Sequence, residues 1–385
     1  MNILLVNYEY PPYGGGAGNA TQQIAYALVA LGHSVTVLTG GHGIGEQDRH
    51  NVDVIHVGSV RASKSGSNLR EMWSFLVKAC LWVLRQDAGY WNTAIIFFAM
   101  PCGPIGLLLK WRLGMPYVIS LRGGDVPGFE PSIHWLHRLL KPLRHSVYRK
   151  ATAIVANSHS LSELSRATDS FPVAVITNGV DINLFKPTGR TNRETSPLLR
   201  MLMVSRFHAQ KNLLRTLAML EHARAVGINY ALTLVGDGPE HRNILHFIKS
   251  RGLNDVVSLT GWVEKAELVS LYQASDCFLS LSLYEGMSNT ILEAMASNIP
   301  VIASDISAHR EVIEHGINGY LVSTEKIDTL VAPLSEMSDQ ASVRMNLGTA
   351  ARRTVTDRHN WTAVANQYAM LFTDDVNQPR KHRSP

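Results

Sequence analysis

The first 38 residues, MNILLVNYEYPPYGGGAGNATQQIAYALVALGHSVTVL, change period twice. Asn2 to Tyr8, continuously apolar from Ile3 to Val6, has the length of a buried strand. Pro11 to Gly18 is a glycine-rich turn, and from Asn19 to Leu31 the apolar positions Ile24, Leu28 and Leu31 return at helical spacing. Gly32-His33 closes that helix, and Ser34 to Leu38 is the next strand. Strand, glycine turn, helix and strand make one parallel βα unit.

The same alternation extends outward from it. Short apolar runs at Val52–Val57, Thr93–Phe98, Tyr117–Leu121, Ala153–Ala156 and Val173–Ile176 are separated by helix-like segments. A polar stretch, Pro187 to Pro197, has linker chemistry. Beyond it strands restart near Arg200–Ser205, Ala231–Val235, Val256–Leu259, Cys277–Leu281 and Val301–Ala303. The pattern predicts an α/β fold of two Rossmann-like doubly wound domains in series, with ligands at the carboxyl ends of the strands and the two edges facing across a cleft. The expected division is 1–186 for the first domain, 187–197 for the linker, 198–361 for the second domain and 377–385 for a basic tail.

Composition supports two cores. The chain has 385 residues, 45% hydrophobic and 17% charged, and one ordinary core does not grow to that length. The net charge of +5 is mild, and no dense Arg/Lys cluster or binding motif points to nucleic acid. Cys80, Cys102 and Cys277 are odd in number and far apart, which predicts neither disulfides nor a zinc site and fits a reducing cytoplasm. The start at Met1-Asn2 lacks the cationic, long apolar character of a signal peptide, and the greasiest run, Ala94 to Leu109, is broken by Pro101, Gly103 and Pro104. Between residues 132 and 150, Arg138, Lys141, Arg144, Arg149 and Lys150 mix with Trp135, Leu136, Leu139 and Leu140 and no acid. Such a stretch suits either an anionic membrane surface or a solvated basic helix face, and the greasy, tryptophan-bearing Trp73–Leu84 stretch adds to the membrane reading.

The chemistry is concentrated in the second half. In Ser282-Leu283-Tyr284-Glu285-Gly286-Met287-Ser288-Asn289-Thr290, either Ser288 or Asn289 can cap a helix beginning near Thr290. Gly286 lets backbone approach a ligand, and the loop amides with the helix N-terminus favour an anion such as a diphosphate. Glu285 and Glu293 stand with seven residues between them, and carboxylates accept pairs of sugar hydroxyls. Two acids flanking a helix start also arise simply to offset its dipole. Arg206 and Lys211, just past the strand ending at Ser205, suit a diphosphate. Gly236-Asp237-Gly238 and Gly261-Trp262-Val263 are tight turns after neighbouring strands.

Taken together, Ser205-Arg206…Lys211, Gly236-Asp237-Gly238, Gly261-Trp262-Val263 and Glu285…Glu293 resemble the donor domain of glycosyltransferase family 4, a family of GT-B fold. The resemblance extends to Gly14-Gly15-Gly16, to Asn178-Gly179-Val180-Asp181…Phe185, and to Trp361 with a C-terminal helix over about 362–376 that completes the first domain. It implies a retaining hexosyltransferase that needs no metal or other cofactor and moves sugar from a nucleotide-diphosphate donor to a hydroxyl. On this resemblance Arg206 and Lys211 neutralise the leaving diphosphate, Glu285 with the amides of Gly286, Met287 and Ser288 holds the sugar, and Asn289 is a further donor-binding residue. Glu293 holds the ribose, the loop at Val263 meets the base, Gly236 lines the donor, and Gly15 and Gly16 approach the phosphates. Where many members carry a histidine near the reacting sugar, this chain has Arg122, with Asp125 expected to face the acceptor. A lipid-linked saccharide in bacterial surface polysaccharide synthesis is the acceptor implied, with the enzyme cytoplasmic and peripheral on the inner membrane face.

Three other classes compete. A nicotinamide-dependent oxidoreductase would share the Rossmann pattern, but Gly14-Gly15-Gly16-Ala17-Gly18 gives no clean Gly-x-Gly-x-x-Gly and no acid is placed for the adenosine ribose. A non-catalytic nucleotide-sugar-binding protein is opposed by the intact Arg206, Lys211 and Glu285. An epimerase or phosphorylase would share the fold. No Asp-x-Asp occurs, and His134-x-x-His137 reads as surface helix rather than a metal pair.

Overall fold

The computed structural model describes residues 1–41, 46–47, 50–59, 68–130, 133–188 and 198–376, which form two compact α/β units. In the first, β1 (Asn2–Val6), β2 (Ser34–Thr39), β3 (Glu46–Gln47), β4 (Asp53–His56), β5 (Thr93–Phe97), β6 (Tyr117–Leu121), β7 (Ala153–Ala156) and β8 (Ala174–Val175) form a sheet of order β3-β4-β2-β1-β5-β6-β7-β8. Every pairing is parallel except the short edge pair β3–β4. β1 and β5 are buried along nearly their whole length, which is why they read as continuous apolar runs without alternation.

The second unit holds β9 (Leu199–Val204), β10 (Tyr230–Val235), β11 (Val257–Gly261), β12 (Cys277–Ser280), β13 (Val301–Ser304) and β14 (Gly319–Val322), in parallel order β11-β10-β9-β12-β13-β14. β14 is absent from the sequence reading because its run is short and opens on Gly319. That glycine is required, since a Cβ there would stand 2.7 Å from the Val301 carbonyl oxygen.

The units divide at Asn178 and Gly179, and Trp361 onward returns to the first unit. The expected boundary at residue 186 is therefore moved. Val180 and Phe185 pack in one apolar cluster with Leu202, Phe278 and Ile291 of the second unit. The Val180 amide also donates to the His359 carbonyl at 2.7 Å. Apolar packing sets the break, whereas the polar composition of 187–197 had suggested it; residues 189–197 and the basic tail 377–385 lie outside the described residues. The final helix, Trp361–Val376, buries Trp361, Val364, Ala365, Tyr368 and Phe372 in the core of the first unit. That spacing is one helical stripe.

Candidate active site

Both sheets reverse strand order once, between β1 and β5 in the first and between β9 and β12 in the second. Such a reversal splays the loops on either side and opens a crevice at the carboxyl edge. In the second unit, the loops after β9, β10 and β12 carry Arg206 and Lys211, Gly236, and Glu285. The first two are knitted together: the Phe207 amide donates to the Asp237 carbonyl at 2.8 Å and the Glu240 amide to the Phe207 carbonyl at 3.0 Å. Gly236 permits this approach. Its φ is +132°, and a Cβ would lie 1.9 Å from the Ser205 carbonyl oxygen. The Gly236 amide donates to the Gly261 carbonyl at 2.8 Å, so the turn preceding Val263 belongs to the same edge.

Across the reversal the β9 and β12 loops are joined by three contacts. The Leu283 amide donates to the Gln210 carbonyl at 2.9 Å, Gln210 Nε2 donates to the Tyr284 carbonyl at 2.7 Å, and Lys211 Nζ is paired with Glu285 Oε1. Burial pushes the Glu285 carboxyl up. The Lys211 charge and hydrogen bond, with a bond from Ser282, outweigh that and hold it below its ordinary value. The pair is thus a pre-charged, largely dry site at a sheet edge.

The helix Asn289–Ala296 starts beside it. Ser288 is its cap, accepting from the Ile291 amide at 3.5 Å, and no acid lies in its first turn. The amides of Gly286, Met287 and Ser288 donate to nothing among the described residues. Unused amides and an undecorated helix N-terminus are an anion-binding arrangement. Arg206 is exposed and carries no ion pair among the described residues. Glu293, in the second turn, is buried and accepts from Tyr272 Oη at 3.0 Å. Burial pushes its carboxyl up to about 7, with the Tyr272 bond and Lys265 opposing. Arg206, Lys211, Gly236, Val263, Glu285 to Asn289 and Glu293 therefore all stand in the second unit, carried by the loops after four neighbouring strands or by the helix that follows.

The first unit presents a different group at its own reversal. Gly14, at φ +98°, lets the chain turn over Glu9, whose Oε2 accepts from the Gly15 amide at 3.3 Å. Gly15 itself faces open space, with nothing within 4 Å of a Cβ. The helix Gly16–Ala30 begins there without a side-chain cap or an acid in its first turn. Asp125 is turned inward, contrary to the expectation that it faces an acceptor. Its oxygens accept from the amides of Ala99 at 2.7 Å, Arg122 at 2.9 Å and Gly123 at 3.1 Å, which fixes the loop after β6 onto the loop after β5. Arg122 points away from that carboxylate. Its guanidinium donates to Asn178 Oδ1 at 2.6 Å and Tyr368 Oη at 3.2 Å and lies 4.7 Å from the Phe97 ring centroid.

Tyr272, Gln210 and Tyr368 were given no role by the sequence, and Ser282 and Asn178 stood there only within quoted segments. Tyr272, Asn178 and Tyr368 act through long-range contacts that local pattern does not encode, whereas Ser282 lies in the same loop as Glu285 and Gln210 adjoins Lys211. His137 is buried with Nε2 3.1 Å from the Gly124 carbonyl, so it is not a free ring on a helix surface. Arg144, counted among the basic stretch, is also internal, paired through Nε with Asp169 at 2.6 Å. No cluster of metal-ligating side chains occurs among the described residues, and no described helix is long and apolar enough to cross a membrane.

Two parallel α/β sheets, the second with an anion-ready edge of paired charges and acids, define a glycosyltransferase of GT-B architecture. Residues 15–179 match the glycosyl transferase 4-like domain and residues 191–354 match glycosyl transferases group 1. The chain belongs to this family, glycosyltransferase family 4. It is similar to the glycogen synthase of Mycobacterium tuberculosis, with 24% identity over 97% of this chain and 94% of that protein. Another relative, the GDP-mannose:cellobiosyl-diphosphopolyprenol alpha-mannosyltransferase of Xanthomonas oryzae, is 26% identical over 71% of each chain. Among solved structures, sucrose-phosphate synthase from Thermosynechococcus elongatus superposes with a TM-score of 0.81 at 20% identity, covering 98% of this chain and 100% of that one.

Proposed function

We propose that this glycosyltransferase is a retaining, metal-independent hexosyltransferase that takes sugar from a UDP- or GDP-linked donor. The observation that carries the reading is the Lys211–Glu285 pair beside unused loop amides and a helix N-terminus. Lys211 and the free Arg206 neutralise the departing diphosphate, the largest charge to develop in the transition state. Donors already in place at such a charge typically contribute about 10²–10³ in rate each. The Gly286, Met287 and Ser288 amides and Glu285 orient the sugar, and Glu293 accepts from ribose hydroxyls. With two cations and a helix end supplied by the chain itself, the diphosphate has a counter-charge without a metal. The leaving phosphate oxygen then takes the acceptor's proton on the face from which it departs.

The acceptor we favour is a lipid-linked saccharide in bacterial surface polysaccharide synthesis. The relative whose name includes a diphosphopolyprenol substrate supports that choice. So do the exposed cations Arg138, Lys141, Arg149 and Lys150, which suit an anionic inner membrane face. The three free cysteines fit a cytoplasmic enzyme. The test is a thermal-shift screen of UDP-, GDP- and ADP-sugars with NADH as control, followed by product analysis of the anomer formed. A donor that binds only the folded state raises its melting temperature. Stabilisation by NADH alone would refute the assignment, and an inverted product would refute retention.

A further inference from the structure

We infer that the helix Leu69–Leu84 of the first unit is a docking face for an anionic lipid bilayer, deepening the membrane contact proposed above. Its inner side is ordinary: Phe75, Leu76, Ala79 and Val83 are buried in the core. Its outer side is not. Leu69, Trp73, Val77, Leu81 and Leu84 are exposed by 57%, 67%, 43%, 49% and 46%. They recur every three or four residues and so lie in one stripe along the full helix. A helix with apolar residues both on its core side and along an exposed stripe has a second apolar face to cover. Scattered exposed leucines need no explanation, but a continuous stripe of this kind does.

Charge selects the occupant. The other exposed positions of the helix include Arg70 and Lys78, Arg85 follows at its end, and its one acid, Glu71, is buried. Exposed Asp87 follows Arg85, but along the helix itself an apolar stripe with exposed cations and no exposed acid is the pattern of an interfacial helix on anionic headgroups. The neighbouring layer repeats it. This helix packs beside Gly103–Leu113, and that helix packs beside Lys141–Lys150. The middle helix exposes Trp111 between Lys110 and Arg112, and the segment 133–150 exposes Trp135, Leu139 and Leu143 among Arg138, Lys141, Arg149 and Lys150. Lys110 Nζ donates to the Lys150 carbonyl at 3.2 Å, tying the second and third helices into one layer. Three adjacent helices therefore each present a tryptophan or leucines with cations beside them. Tryptophan favours the headgroup depth of a bilayer, and the flanking cations fit an anionic surface.

The experiment is sedimentation of the full chain with vesicles of equal parts phosphatidylglycerol and phosphatidylcholine, and with phosphatidylcholine alone. Expected is binding to the anionic vesicles that weakens with salt, and at least tenfold weaker binding to the neutral ones. Trp73→Ser and Leu81→Ser should each weaken binding about tenfold or more, because each withdraws a side chain from apolar contact. Both side chains are exposed, so the double variant should keep its melting temperature and its stabilisation by donor. Those two readouts separate a failure of this inference from a failure of the proposed reaction. The inference is overturned if the unaltered chain ignores anionic vesicles at low salt, or if the double variant binds them undiminished. It is also overturned if light scattering shows a dimer that W73S/L81S dissociates, which would assign the stripe to a second copy.

Discussion

Replacing Lys211 by Met tests whether the ion pair at the β9–β12 crevice is a working site or a structural tie. Glu285 Oε1 is paired to Lys211 Nζ, and the two side chains are only 9% and 18% exposed. Removing the cation strands a carboxylate left with a bond from Ser282 and the lesser influence of His309. Stranding a buried charge costs about 3 kcal/mol. For units of this size that lowers the melting temperature by roughly 6–12 °C. The pH dependence should also change. In the native chain Glu285 sits below its ordinary 4.5, so it contributes stability above that pH, lost as pH falls through the folded value. In Lys211→Met burial is opposed only by the Ser282 bond and the lesser influence of His309, so the carboxyl rises and the variant should lose stability as pH rises above the ordinary carboxylate range. Lys211→Met/Glu285→Gln removes the stranded charge and should regain most of the lost stability. Turnover should fall about 10²–10³ in the single variant and at least as far in the double, because the diphosphate clamp is missing from both and the sugar-orienting Glu285 from the second. Scanning calorimetry at pH 5 and pH 8, with donor hydrolysis on the same samples, reads both effects. If turnover returns together with stability in the double variant, the pair is a structural tie and the reasoning fails.

Other expectations follow from the same geometry. Gly236→Ala puts a Cβ 1.9 Å from the Ser205 carbonyl oxygen, so the β9 and β10 loops must part. We expect a loss of about 1–3 kcal/mol together with weaker donor binding, measured by denaturant melts and calorimetry, and native behaviour would contradict the packing described. Glu293 titrates near 7, and only its ionised form accepts from two ribose hydroxyls without giving up an oxygen to its own proton. Donor affinity should therefore rise from pH 6 to pH 8 by up to about tenfold, and Glu293→Gln should flatten that rise; a native slope in the variant would remove Glu293 from the ribose. Tyr368→Phe deletes a hydroxyl 2.7 Å from Ser120 Oγ and 3.2 Å from the Arg122 guanidinium. It should cost about 1–3 kcal/mol in a chemical melt, and no change would show that Arg122 is held by Asn178 and Phe97 alone.

Much of this architecture is readable from one sequence, for a physical reason. Strands buried on both faces, such as Thr93–Phe97 and Tyr117–Leu121, are unbroken apolar runs, so their positions survive without alignment or alternation. The Ser288 cap and the cations following β9 lie within a few residues of the elements they serve, so local pattern finds them. What pattern missed depends on contacts between distant residues. Asp125 looks like a site acid, yet its oxygens close onto amides from Ala99 to Gly123, and nothing local distinguishes the two fates. Arg144 belongs by composition to a basic surface but is drawn inward by Asp169, 25 residues away. The Tyr272 hydroxyl reaches Glu293 across 21 residues. Polar composition marked a linker near residue 187, whereas the two cores part at Asn178 because Val180 and Phe185 have apolar partners only in the second.

The pyrophosphate clamp is the centre of the account, and a calorimetric comparison of nucleoside diphosphate with the matching monophosphate addresses it most directly. The native chain should bind the diphosphate at least about tenfold more tightly, since the second phosphate adds a charge-assisted contact. With Arg206→Ala/Lys211→Met that margin should vanish while the monophosphate affinity holds. Equal affinities in the native chain, or an undiminished margin in the variant, would contradict it.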